Sequence, residues 1–179
     1  VFILATSMMM IFTPSLGYLG YACDRADVDS ANVTEMIVNV PALEVKVIHN
    51  GAEVMKFPIA VGSPRYQTPI GDRELSQIIW NPSWYPPDSP WAKGAKPMGP
   101  GPSNPLGPVK MDLGGDIRMH GTTNEASIGH AASHGCMRMK NADAKTLAKW
   151  IQLHHTQETD EAVFEKYASE EGMGFKVVE

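Results

Sequence analysis

Cysteine is scarce in this chain: Cys23 and Cys136 are the only two among 179 residues. One pair is no disulfide framework, which excludes a small scaffold held together by its bridges. If Cys136 is chemically active it must stay unpaired. Positive charge is also short, with 15 Lys and Arg against 20 Asp and Glu and a net charge of −5. That balance argues against nucleic acid as a partner, because phosphate binding relies on Lys and Arg; it says little about fold. No internal repeat is visible. A hydrophobic content of 43% with modest charge leaves no indication of disorder, and the length suits one domain with a real core.

A long hydrophobic run is missing too. The apolar stretch Val1 to Phe12 is about a dozen residues, too short to span a bilayer comfortably. No charged residue occurs from Val1 to Ala22. An apolar core followed by the small-x-small site Gly20-Tyr21-Ala22 marks residues 1–22 as a secretory signal peptide. An initiator Met and a positive n-region are lacking, as in a chain truncated at its N-terminus; a buried N-terminal helix is the alternative. Residues 23–33 then read as a linker and 34–179 as one domain, with an acidic extension from about residue 156. Cys23 directly follows the cleavage site, where a lipoprotein carries its lipid, although Leu rather than Gly20 is expected three residues before it.

Within the domain, Leu43 to Val47 alternates apolar and charged residues, the pattern of a half-buried strand. Asn50-Gly51 follows, a strong hairpin signal because both central positions of that turn need positive φ. Met55, Phe57, Ile59 and Val61 form the return strand, and Pro58 places it at an edge or a bulge because it cannot donate to a ladder. Leu75 to Trp80 reads as another strand. Val109–Leu113 and Ile117–His120 form a hairpin about Gly114-Gly115, which puts His120 near a strand end. From Asn81 to Pro108, 9 of 28 residues are Pro and 4 are Gly. Loops of this length are usually functional or disordered, and Trp80, Trp84, Tyr85 and Trp91 favour an ordered lid. A helix capped by Asn141, with Asp143 in its first turn, presents Leu147, Trp150, Ile151 and His154 on one face. Glu158–Glu171 is expected as a second, solvated acidic helix and Phe175–Val178 as a last strand. The sum is a mainly β domain with one or two helices.

The segment richest in chemistry holds His120-Gly121-Thr122 and then Ser133-His134-Gly135-Cys136-Met137-Arg138. A nucleophilic thiol needs a base within reach and a third group to orient that base. A neighbouring imidazolium would increase the thiolate fraction. Three readings stay open on chemistry alone: thiol catalysis by Cys136 with His120, a zinc site drawn from His120, His130, His134 and Cys136, or a purely structural Cys and His.

The same residues resemble the signature of the L,D-transpeptidase catalytic domain, or YkuD, family. Thr68-Pro69-Ile70-Gly71 is similar to the family's Thr-Pro-x-Gly. Pro100 to Gly107 and Ile128-Gly129 resemble the periplasmic ErfK/YbiS-type enzymes. The resemblance runs from about Thr34 to Leu153 and departs at Met137, where Ile or Val is common. It implies a β-sandwich with a long Pro/Gly-rich lid, no cofactor and no metal. It also implies peptidoglycan stem peptides as partner, and the periplasm or envelope of a bacterium as location, with membrane anchoring if Cys23 is lipidated. Cys136 would form a thioester at the third stem residue, with His120 as base and then acid. Gly121 would orient His120 through its carbonyl, and amides around Gly135 and Cys136 would hold the oxyanion. Ser133, His134 and Arg138 would shape the pocket or grip the substrate, His134 being the competing base and Arg138 a carboxylate grip or a structural ion pair. Trp84 and Tyr85 would line the channel or pack the lid. Hydrolysis of the same thioester by an L,D-carboxypeptidase, or a non-catalytic zinc- or wall-binding module, are the alternatives.

Overall fold

The structure is a computed structural model that describes residues 32–156, 160–169 and 173–176. The proposed signal peptide and Cys23 lie outside the described residues. Three strands, β1 (Thr34–Asn39), β2 (Glu44–His49) and β3 (Ala52–Pro58), form an antiparallel sheet in that order. The hairpin turn between β2 and β3 has φ of 49° at Asn50 and 81° at Gly51, as the Asn-Gly pair requires. Pro58 ends an edge strand, and the pairing shifts between Val47 and Ile48. Val45 and Val47 are fully buried, while Lys46–Glu53 (2.9 Å) and Lys56–Glu44 (2.7 Å) pair on the wet side. The return strand is shorter than its alternation suggested. After Pro58 the chain leaves this sheet, and Val61–Gly62 becomes β4 elsewhere.

A second sheet carries the chemistry. It contains β5 (Gln77–Trp80), β6 (Val109–Asp112), β7 (Arg118–His120), β9 (Met137–Arg138) and β10 (Met173–Lys176), in the order β10-β5-β6-β7-β9. All neighbours are antiparallel except the parallel pair β7 and β9. A two-stranded parallel pair joins β4 to β8 (Ala131–Ser133). Strand alternation decides what each face does. Ile78, Met111, Met119 and Met137 are paired across the sheet and wholly buried. They pack with Ala144, Leu147, Ala148 and Ile151 of α1 (Asn141–His155) in one core.

One expectation needs correction and two are refined. Asn141 is not the cap of α1: Lys140 occupies that position without a side-chain bond, and the Asn141 Oδ1 instead accepts from the Thr122 N–H at 2.8 Å. The acidic second helix is present as α2 (Glu161–Ser169), the rest of the expected span lying outside the described residues; it packs through Phe164 and Tyr167, which are buried, and Phe164 meets Trp80 with ring centroids 6.0 Å apart. The final described strand is Met173–Lys176, which begins two residues before the expected Phe175 and closes one edge of the five-stranded sheet on β5; Val177 and Val178 lie outside the described residues.

The proline-rich segment is held by Asn104, which is 1% exposed. Its Nδ2 donates to the carbonyls of Pro82 (2.7 Å) and Gly99 (3.0 Å), while its Oδ1 accepts from Leu106 N–H at 2.9 Å. Trp84 and Met98 exchange both backbone bonds, at 2.8 and 2.9 Å. One amide side chain therefore supplies the pairing that a segment rich in Pro cannot make for itself. Among the described residues no helix is long and apolar enough to cross a membrane.

Candidate active site

Because Met119 and Met137 point into the core, their neighbours must point to the opposite face. The register pairs Lys110 with His120, Asp112 with Arg118, and His120 with Arg138. Extending the parallel ladder by one residue puts Cys136 across from Arg118, diagonal to His120 and on the same face. Diagonal neighbours in a sheet lie about 7–8 Å apart, close enough for side chains to meet. Three signature positions are thus gathered by alternation alone: His120, Cys136 and Arg138.

The nucleophile loop is braced from both ends. Ala60 and Arg138 exchange backbone bonds at 2.9 Å each, Gly129 N–H donates to Ile59 O at 3.1 Å, and Ser63 N–H donates to Ser133 O at 2.9 Å. The Ser133 hydroxyl, 2% exposed, donates to Cys136 O at 2.5 Å and accepts from Gly135 N–H at 3.1 Å. Both bonds are internal to the loop, so Ser133 shapes it rather than facing a ligand. The Gly135 N–H, expected among the oxyanion donors, is engaged there by the Ser133 hydroxyl. Gly135 has φ of 111°, a conformation that disfavours a side chain.

Thr68 is the residue that motif reading undervalued. It is 5% exposed; its hydroxyl donates to Gly135 O at 2.9 Å and accepts from Gly62 N–H at 2.8 Å. A Cβ on Gly62 would collide with Tyr66 O and the Thr68 amide. The Thr-Pro-x-Gly segment is therefore a bolt between β4 and the nucleophile loop. Its place in the motif was the only signal, since Thr68 and Gly135 lie 67 positions apart.

His120 is 6% exposed, with Nδ1 2.5 Å from the carbonyl oxygen of Gly121. A carbonyl only accepts, so the proton sits on Nδ1 and Nε2 carries the lone pair, the tautomer a base requires. Burial is the main cause that pushes the His120 pKa down to about 4. The Gly121 carbonyl opposes that shift, and the positive charges of Arg138, Arg118 and Lys110 reinforce it. The imidazole is neutral at ordinary pH, and the imidazolium partner expected for Cys136 is not supported. Gly121 itself is tightly enclosed: a Cβ there would strike Asn141 Oδ1 and come within 2.9 Å of Pro108 Cδ.

Cys136 carries a free, partly exposed thiol. Its hydrogen bond goes to the Asp116 carbonyl in the β6–β7 turn, at 3.5 Å, and not to His120. That is one weak bond, of about 1 kcal/mol or less. Catalytic contacts that are loose in the free enzyme are common.

Arg118 is committed to Asp112 at 3.0 Å, and Lys110 to the same carboxylate at 3.4 Å. Arg138 has no carboxylate partner among the described residues, and its pKa is lowered by burial, with the Cys136 charge opposing that. The ring of His134 does not address Cys136. It stacks on Trp91 at 4.1 Å between centroids and 12° between planes, and it meets Tyr66 at 4.7 Å. Trp84 serves the proline-rich segment through its backbone, and Tyr85 is 72% exposed. Among the described residues no three His, Cys, Asp or Glu side chains gather to hold a metal, so His120, His130, His134 and Cys136 do not form the zinc cluster considered from sequence.

Fold and site define a mainly β domain with a thiol and a neutral imidazole on one sheet face. The chain belongs to the YkuD family, the L,D-transpeptidase catalytic domain, whose family model matches residues 34–178. It is 24% identical over 179 aligned residues to the probable L,D-transpeptidase YbiS of Escherichia coli K12, covering 75% of this chain and 58% of that protein. It is 33% identical over 115 residues to YkuD of Bacillus subtilis strain 168, covering 64% and 58% respectively. The chain thus spans somewhat over half the length of these relatives. Among solved structures, L,D-transpeptidase 3 of Mycobacterium tuberculosis with a faropenem-derived adduct gives a TM-score of 0.49 at 16% identity, covering 63% of this chain and 53% of that one.

Proposed function

We propose that this chain is a cysteine-dependent L,D-transpeptidase acting on peptidoglycan stem tetrapeptides in the bacterial cell envelope. The observation that carries this reading is His120, whose Nδ1–H is fixed on Gly121 O and whose Nε2 lone pair lies on the sheet face shared with Cys136. In the first step the thiol swings from Asp116 O, Nε2 takes its proton, and Sγ attacks the carbonyl carbon of the third stem residue. The carbonyl π pair moves to oxygen, and the Cys136 N–H donates to that oxyanion in place of the occupied Gly135 N–H. Collapse re-forms the carbonyl and breaks the C–N bond; the imidazolium returns its proton to the leaving amine, and D-Ala departs. An acceptor amine then attacks the thioester, loses a proton by way of His120, and restores the thiol. Arg138, half-buried and without a carboxylate partner among the described residues, receives a carboxylate of the stem peptide.

The test is incubation with a disaccharide-tetrapeptide, with and without an amine acceptor, followed by mass spectrometry of soluble products. Amine-dependent dimers or adducts, with D-Ala released, support the transferase. Tripeptide formed equally with and without the amine would assign hydrolysis instead, and no release of D-Ala would contradict both.

A further inference from the structure

His134 stands two residues before the reactive thiol, yet its ring is committed to a stack. Trp91 lies in a short helical turn (Pro90–Ala92) of the proline-rich segment and covers one face of the imidazole at 4.1 Å and 12°. Tyr66 approaches at 4.7 Å and 58°, and the Arg65 guanidinium lies 5.5 Å from the Tyr66 ring centroid. Three separate stretches of chain therefore meet at His134: the segment bolted by Thr68, the segment pinned by Asn104, and the nucleophile loop. Burial lowers the His134 pKa, with Arg138 adding to the effect. Trp91 is 39% exposed, more than a core anchor would be, and the rest of its ring is open to solvent.

We propose that Trp91 is a positioning residue that holds the proline-rich segment across the nucleophile loop by stacking on His134, and that this contact, not proton transfer by His134, sets which molecules reach Cys136. The stack is a side wall beside the thiol. A slim extended peptide passes it, and a bulky acceptor requires it to part. His134 then acts as a flat surface for Trp91, and another flat ring can replace it. The inference rests on Cys136 being the reactive thiol and not on the identity of the substrate.

Thiol labelling tests this without any turnover. The whole chain would be treated with iodoacetamide or with a bulky maleimide–polyethylene glycol, and the extent at Cys136 followed by peptide mass mapping. Trp91→Ala and His134→Ala are expected to raise the bulky-to-small rate ratio by roughly two- to tenfold, the range that loss of one aromatic pair allows. Trp91→Phe and His134→Phe are expected to keep the wild-type ratio, because both preserve a ring-on-ring contact. An unchanged ratio in Trp91→Ala, or His134→Phe behaving like His134→Ala, would overturn the proposal. Circular dichroism melting of each variant separates local opening from unfolding: a ratio that rises only in step with lost helix and sheet signal also counts against it. A failed transpeptidase assay leaves the labelling result intact.

Discussion

The hydroxyl of Thr68 donates to the carbonyl of Gly135, 2.9 Å away, and accepts the amide proton of Gly62 at 2.8 Å. One buried oxygen thus ties β4 to the loop that carries Cys136. Thr68→Val keeps the shape and removes both bonds, leaving a buried N–H and a buried C=O unpaired. Each orphaned group costs about 1–3 kcal/mol, about 2–6 kcal/mol for the two, so a melting temperature lower by roughly 4–24 °C is expected. Thr68→Ser keeps the oxygen and is expected to recover most of that loss. Calorimetry on the three proteins checks it; a Thr68→Val melt within 1 °C of wild type would show that the bolt bears no strain, on a scale where about 1 kcal/mol shifts the midpoint by roughly 2–4 °C.

The neutral state of His120 makes a pH prediction. Its folded pKa, about 4, lies below the ordinary 6.5, so between those values the unfolded chain binds the proton that the folded chain refuses. Stability contributed by the neutral imidazole is therefore full above pH 6.5 and declines as pH falls toward 4, by a total on the order of 3 kcal/mol. The acid limb of the acylation rate is expected near pH 4 instead of 6.5. A pH–rate profile of Cys136 acylation reads this directly, and a limb at 6.5 would mean that His120 titrates as a solvated imidazole in the working enzyme.

Gly121 is expected to tolerate no side chain. A Cβ there meets Asn141 Oδ1 and Pro108 Cδ, so Gly121→Ala must shift the very carbonyl that fixes the His120 tautomer. Destabilisation of about 1–3 kcal/mol is the usual effect of such overpacking, accompanied by a fall in kcat larger than any change in KM. Denaturant melts and steady-state kinetics check the two effects separately. Wild-type kcat in this variant would show that the Gly121 carbonyl is not needed.

What the sequence made legible is what local chemistry controls. Asn50-Gly51 announced its turn because positive φ is a property of two residues. The Gly114-Gly115 pair between two strand patterns announced the hairpin that puts His120 near a strand end. Leu147 and Ile151 announced the helix. The resemblance placed the His and Cys motifs, but not the bolt made by Thr68, nor the stack of Trp91 on His134, because both join residues far apart in the chain. Asn141 misled because a good capping side chain found a better bond at Thr122. The second helix was legible, but not its packing, because Phe164 and Tyr167 are outnumbered by charge yet are the residues that α2 buries. β1 lacked the clean alternation of β2, and it forms because β2 offers it a partner edge.

The central claim, that the Cys136 sulfur becomes acylated with His120 as its base, is tested most directly by intact-protein mass spectrometry after brief exposure to a stem tetrapeptide at neutral pH. The account predicts a mass increase equal to the acyl tripeptide, mapped to Cys136, absent in Cys136→Ala and slowed at least a hundredfold in His120→Gln, the order that a lost general base produces. An unmodified Cys136 in the wild-type protein, or an adduct that forms as fast in His120→Gln, would contradict it.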